Sequence, residues 1–238
     1  MGDYKNIASV LTRLLGLAHA PLAISFVDEQ PDQVAAFDDP FPESAADGRT
    51  GRVAAGCVFW MKGADRTFTT VAEDHANCSV GSLTHGFTTL EEAAQQPDVA
   101  ALVESEWVSP ETFPGLPTVE NRPESIVYGP LAETPVDPDV VLLRLNAKQV
   151  MVVHDACPEL RFEGKPQCHI IPIAKERGEI TASVGCMLSR ARTGMSASEL
   201  TCALPTATLP ELVERLRAAR SADDKVAAYA AADAQRFD

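Results

Sequence analysis

Six cysteines stand at positions 57, 78, 157, 168, 186 and 202 of a 238-residue chain; His169 adjoins Cys168, and His75 and His85 flank Cys78. Thiolates are soft ligands that select zinc, Cu(I) or iron–sulfur clusters. A set of four serves either a structural zinc or a cubane cluster. Structural zinc sites usually take cysteines in pairs about two to four residues apart, and the chain contains no C-x-x-C. Scattered single cysteines must be gathered by the fold. That pattern suits a cluster buried between two halves, and it equally suits thiols that merely fill a core. A third reading is a reactive thiol, Cys78 or Cys186, activated by His75 or His169.

The stretch "EDHANCSVGSLTHGF", Glu73 to Phe87, sets His75, Cys78 and His85 among small residues and the glycines Gly81 and Gly86. Cluster sulfurs accept hydrogen bonds from backbone N–H groups, and small residues allow that approach; the same composition suits a tight turn. On the cluster reading the metal ligands are Cys57, Cys78, Cys168 and Cys186. Gly81, Gly86 and Gly194 are the close-approach positions, and His75, His169 and Arg190 are the groups that orient or protonate a substrate. Arg190, in "CMLSRARTG", is also placed to meet an anion. Phe59 and Trp60 read as core or pocket wall. No G-x-G-x-x-G, P-loop, H-E-x-x-H or G-x-S-x-G occurs, so phosphate loops and hydrolase elbows lack support.

The elements that must carry these residues follow from periodicity and punctuation. Ile7, Val10, Leu11, Leu14 and Leu15 share one face of an opening helix. Residues 21–27, 66–71, 125–129, 139–145 and 178–184 read as strands, and 28–52 as a long polar loop. "GCVFWMKGA" is open between helix and strand. Capping boxes place helix starts near 89, at Ser196 with Glu199, and at Thr208 with Glu211. Asp98 is placed to cap "VAALVESEW", and Asn146 a core helix through "AKQVMVVHDAC", where Gln149 and His154 are further pocket candidates. Helices over 208–219 and 221–235 close the chain.

The order strand, Cys segment, strand, Cys turn, capped helix occurs twice. Cys78 is followed eight positions on by Gly86, and Cys186 eight positions on by Gly194; Cys57 and Cys168 head the corresponding upstream segments. The fold class expected is α+β (mixed α/β), two similar halves packed about a pseudo-twofold axis, an internal duplication that would bring equivalent cysteines face to face. The expected division is 1–108, a linker at 109–124 with four prolines, and 125–238, together forming a single compact unit. A competing register, "SVG" at 79–81 on "SVG" at 183–185, breaks the cysteine match.

Composition is globular, with 45% hydrophobic and 23% charged residues. A net charge of −14 repels nucleic acid and anionic membrane, so neither is expected as a partner. No apolar run is long enough for a span, and "MGDYKN" does not read as a secretory signal. The expected location is the cytosol, where stable disulfides are disfavoured.

The segments "LLGLAHAPLAISF", "CVFWMKGA", "NCSVGSLTHGF", "PDVVLLRLNAKQVMVV" and "GCMLSRARTGMSASELTCALP" together resemble the family called domain of unknown function 169, over about residues 5 to 217. The resemblance implies one compact prokaryotic-type unit. It points again at Cys57, Cys78, Cys186 and the turn around Arg190, leaves open whether His169 replaces Cys168, and implies no substrate. The function expected is that of a metalloprotein binding a 4Fe–4S cluster, or zinc as the alternative. A neighbouring pocket would serve a small-molecule substrate, in the manner of an oxidoreductase or lyase. A non-enzymatic sensor or carrier and a thiol-dependent enzyme are the other readings, and a homodimer is left open.

Overall fold

The computed structural model describes residues 2–39 and 56–237. Of the loop expected at 28–52, residues 40–52 lie outside the described residues. The chain opens with α1 (Tyr4–Leu15), capped by Asp3, whose carboxylate accepts from the Asn6 N–H at 3.2 Å, and ended by Gly16 at φ 64°. There follow β1 (Leu22–Val27), α2 (Gly56–Lys62), β2 (Phe68–Thr70), α3 (Ser79–Thr84), α4 (Leu90–Ala94), α5 (Pro97–Glu104) and β3 (Ser125–Pro130). The second part holds β4 (Val140–Asn146), α6 (Ala147–Ala156), β5 (Arg161–Glu163), α7 (Ile170–Arg177), β6 (Thr181–Ser183), α8 (Met187–Thr193), β7 (Glu199–Pro205) and α9 (Leu209–Ala234).

The protein is α+β. All the strands join one seven-stranded sheet in the order β2-β3-β1-β4-β7-β6-β5. Every pairing is antiparallel except β5 with β6. β1 pairs with β3 over six residue pairs and β4 with β7 over seven, yet β1 and β4 meet over only three, Leu22–Leu142, Ala23–Val141 and Ile24–Val140.

Helices cover both faces of the sheet, which is why β4 reads as an unbroken apolar run instead of alternating. Val141, Leu143 and Leu145 face a core shared with Leu11, Val153 and Leu212 of α1, α6 and α9. Val140 and Leu142 face the opposite core, with Phe59 and Trp60 of α2 and Ile170 and Ile171 of α7. Cys157 and Cys202 belong to the first core, Cys57 and Cys168 to the second. Among the described residues, no helix is long and apolar enough to cross a membrane.

Several local expectations are revised. "GCVFWMKGA" is helical. Ser196 and Glu199 do pair, the Ser196 N–H donating to the Glu199 carboxylate at 2.9 Å, but the turn they close opens strand β7 and not a helix. The alternation of Leu200, Cys202 and Leu204 towards one core outweighs the cap signal. The two closing helices are one, 26 residues long, because nothing at 219–221 breaks it. Only Leu209, Leu212, Val213 and Leu216 of it are buried, all in its first half. The proline-rich stretch 109–124 contains a short 3-10 helix, Pro110–Gly115, and leads into β3, which pairs with β1 and β2.

Candidate functional site

Four cysteines line one cavity of about 450 Å³, and each is presented by the start of a helix. Cys57 is the second residue of α2, and Cys78 and Cys186 are the residues just before α3 and α8. Cys168 lies in a single 3-10 turn, Gln167–His169, that runs into α7. Such positions leave first-turn N–H groups without helical acceptors; the Ser189 N–H donates to the Cys186 sulfur at 3.4 Å. Cys57 and Cys168 are buried, while Cys78 and Cys186 are half-buried.

The thiols are near enough to feel one another. Burial, and then the neighbouring Cys78, push the Cys57 thiol up to about 12. Burial pushes Cys168 well above the ordinary thiol value, with Cys78, Cys57 and Cys186 adding to it and a hydrogen bond with Thr84 opposing. Desolvation and like-charge repulsion both disfavour thiolates here, so a cation bound among them would displace protons. One counter-charge is built in. Burial pulls against the Arg192 charge, but the nearby Cys78 and Cys57 sulfurs hold its pKa above the ordinary value.

Two polar networks fix the loops. The Ser79 N–H and hydroxyl both donate to Asp98, at 3.0 and 2.6 Å, tying the start of α3 to α5. Asp98 therefore serves α3; the helix it was expected to cap begins at Pro97, with Gln96 before it. On the other side Gln167, fully buried, donates to the Thr201 hydroxyl at 2.9 Å and accepts from the Ser189 hydroxyl at 2.6 Å. The Ser189 hydroxyl in turn accepts from the Cys186 N–H at 3.1 Å. The loops carrying Cys168 and Cys186 are thus joined by one chain of hydrogen bonds. A Cβ on Gly81 would stand 3.3 Å from the Cys78 sulfur, so glycine there lets the helix close over the thiol.

The family model of domain of unknown function 169, described as an uncharacterised ArCR, matches residues 10–215. The chain belongs to that family. No curated protein and no solved structure matches it.

In this member of domain of unknown function 169, the expected site residues separate into two groups. Cys57, Cys78, Cys168, Cys186, Gly81 and His169 line the cavity. His169 is buried, which lowers its pKa to about 4, and its Nε2 has no hydrogen-bond partner. His75, Arg190, Gly86 and Gly194 do not line it. His75 is sealed in an aromatic core, 4.9 Å from the Phe59 ring and 4.8 Å from Phe87, with Nε2 3.1 Å from the Thr70 hydroxyl. Arg190 spends its guanidinium on backbone carbonyls of Val184, Ser196 and Glu199, clamping the loop around α8. Gly86, at φ 81°, and Gly194, at φ 63°, are turn positions. Gln149 donates to the Gly16 carbonyl, and His154 is exposed.

Sequence reasoning passed over Arg192, Gln167 and the wall formed by Leu102, Trp107, Phe113 and Leu116. Arg192 stands two residues beyond Arg190, on the helical face that turns back towards Cys78. Only the helix phase of α8 distinguishes the two. Among the described residues, no group of three or more His, Cys, Asp or Glu converges as the ligands of a single metal ion do.

Proposed function

We propose that the protein binds an iron–sulfur cluster, most simply 4Fe–4S, through Cys57, Cys78, Cys168 and Cys186, beside a cavity that takes a small molecule. The observation that carries this reading is that four of the six cysteines, from two distant stretches, line one cavity while the other two lie in the opposite core. Sulfurs arranged around a space suit an inorganic body of several atoms better than one zinc ion, whose ligands must converge on a point. Arg192 offsets part of the negative charge that four thiolates would bring. Gly81 keeps the approach to Cys78 open, and the Gln167–Ser189 link holds two of the ligand loops in register. Such a cluster would supply electron transfer or Lewis-acid activation to a molecule bound beside it. The reading places the protein in a reducing compartment such as the cytosol.

A duplicated origin supports the same centre. The strands β2-β3-β1 are mirrored across the β1–β4 pairing by β6-β7-β4. Each half runs from an inner strand to a cysteine-bearing helix start, a short strand and a helix preceded by cysteine, and then a closing strand. Both closing strands end in proline, Pro130 and Pro205, followed by a 3-10 turn. On this reading Cys57 corresponds to Cys168, and Cys78 to Cys186, about a pseudo-twofold axis.

Anaerobically purified protein should contain iron and acid-labile sulfide, with thiolate-to-iron absorption in the visible range. Loading should strengthen as pH rises, because protonated thiols must release their protons. A folded preparation that stays colourless and iron-free after reconstitution with iron and sulfide defeats the proposal. The Arg192 guanidinium facing Cys78 across the cavity favours one other reading, a thiol enzyme with Cys78 as nucleophile. Fast single-site alkylation of Cys78 in iron-free protein, abolishing ligand turnover, would select it.

A further inference from the structure

We infer that the cavity beside the cysteines receives a small organic acid, its anionic group met by Lys165 and Arg177 and its apolar body laid against Leu102, Trp107, Phe113 and Leu116. This rests on the small-molecule cavity of the preceding section and not on the cluster. Three observations lead to it.

The first is charge. The molecule carries −14 overall, yet this cavity is lined by four cations, Arg161, Lys165, Arg177 and Arg192, against two carboxylates, Asp98 and Glu163. A local reversal of sign inside an acidic protein draws anions towards it. The cations differ in what already occupies them. Arg161 pairs with Glu179 at 3.0 Å and Glu163 at 3.5 Å, and Arg192 is turned to Cys78. Lys165 and Arg177 make no ion pair among the described residues, and both are exposed at the cavity's edge.

The second is shape and polarity. Lys165 Nζ stands 4.4 Å from the centroid of the Trp107 ring, so an ammonium and an aromatic face form one continuous surface. The apolar residues beside it come from α5, which carries Leu102, and from the segment between α5 and β3, which has no counterpart between α8 and β7. The cysteines come from helix starts in both parts of the chain; this segment forms the apolar wall. A volume of about 450 Å³ falls in the range of sites for small organic ligands.

The third is an unsatisfied group. The His169 side chain is buried and lines the cavity, and its Nε2 has no partner. A buried polar atom without a hydrogen bond is costly, and a second polar atom on the ligand, beyond its acid group, would complete it.

The test titrates the full chain with matched probes: hexanoate, 3-phenylpropanoate and indole-3-acetate, each beside its neutral amide, and 3-phenylpropylamine as the cation. Binding is read by calorimetry and by tryptophan emission. Of the two tryptophans, Trp60 is in the core and Trp107 in the cavity wall, so Trp107→Phe should remove the optical signal. At least one acid should bind with a dissociation constant below about 1 mM. It should bind about tenfold more tightly than its amide, more weakly as salt rises, and about tenfold more weakly in Lys165→Ala or Arg177→Ala. Arg215→Ala, on the far side of the sheet, controls for loss of a surface charge and should change nothing.

If no acid binds below that limit, if amides match their acids, or if the amine binds best, the inference is overturned. Iron is assayed in the same samples. Protein that stays iron-free after reconstitution yet still prefers acids overturns the cluster alone, and iron-loaded protein indifferent to probe charge overturns the acid site alone.

Discussion

His85 shows how a residue that looks chemical in sequence becomes structural in the fold. Its Nδ1–H donates to the Gly81 carbonyl at 2.8 Å, which fixes the neutral tautomer and leaves Nε2 bare inside the core. Burial brings its pKa down to about 4, and burial drives His75 well below the ordinary value too. An unfolded chain takes up these protons near pH 6.5, while the folded one refuses the His85 proton until about pH 4. The stability is therefore complete above about pH 6.5 and is lost as pH falls towards 4, by on the order of 3 kcal/mol for His85 alone. Urea midpoints measured from pH 7 to 4.5 should fall steadily, and His85→Gln should flatten part of that slope; a level profile would contradict it. Cysteine and histidine identity thus announced that something was built around residues 73–87. Which histidine meets the cavity, His169 and not His75, depends on packing directions that spacing does not encode. Arg190 and Arg192 carry the same lesson: both are arginines on one short helix, one used as a loop clamp and the other turned to a thiol.

At the level of elements, five of the seven strands and the helices α1, α4, α5, α6 and α9 were legible because β-branched runs and caps are local signals, whereas β5 was not foreseen and β7 was read as a helix start. Asn146 does cap α6, accepting from the Gln149 N–H at 3.0 Å, and Thr89 caps α4. The misreading at Ser196 arose because a serine–glutamate pair three apart closes a turn equally well before a strand. Missed altogether was the role of Cys78 and Cys186 as the residues that open helices, a position where serine is ordinarily preferred. That yields a separation of ligation from packing. Cys186→Ser should keep or slightly raise the melting temperature, since a hydroxyl caps better than a thiol. Cys168→Ser, in the buried turn of the opposite core, should cost about 1–3 kcal/mol. Both should lose bound iron. If Cys186→Ser retains a full complement of iron, Cys186 is not a ligand, and its position before α8 is only structural.

Across the whole molecule, the sheet divides two jobs. One face holds α1, α6 and the first half of α9 over a core with no cavity cysteine; the other holds α2, α7 and the candidate centre. The second half of α9 is exposed and contributes nothing buried after Leu216. Deleting residues 221–238 should shift the melting temperature by a few degrees at most and leave iron content and probe binding intact. The sheet's layout was out of reach of sequence, because strand order depends on long-range pairing and periodicity reports only which residues face inward. The join between the two longest strand pairings of that layout is the three-pair contact between β1 and β4. A ligand cage fed from both sides of so slender a junction behaves like a rivet through a seam. If the cage holds the proposed cluster, removing it should loosen the molecule there, and exchange of deuterium into Leu22–Ile24 and Val140–Leu142 would become a running gauge of how full the cage is.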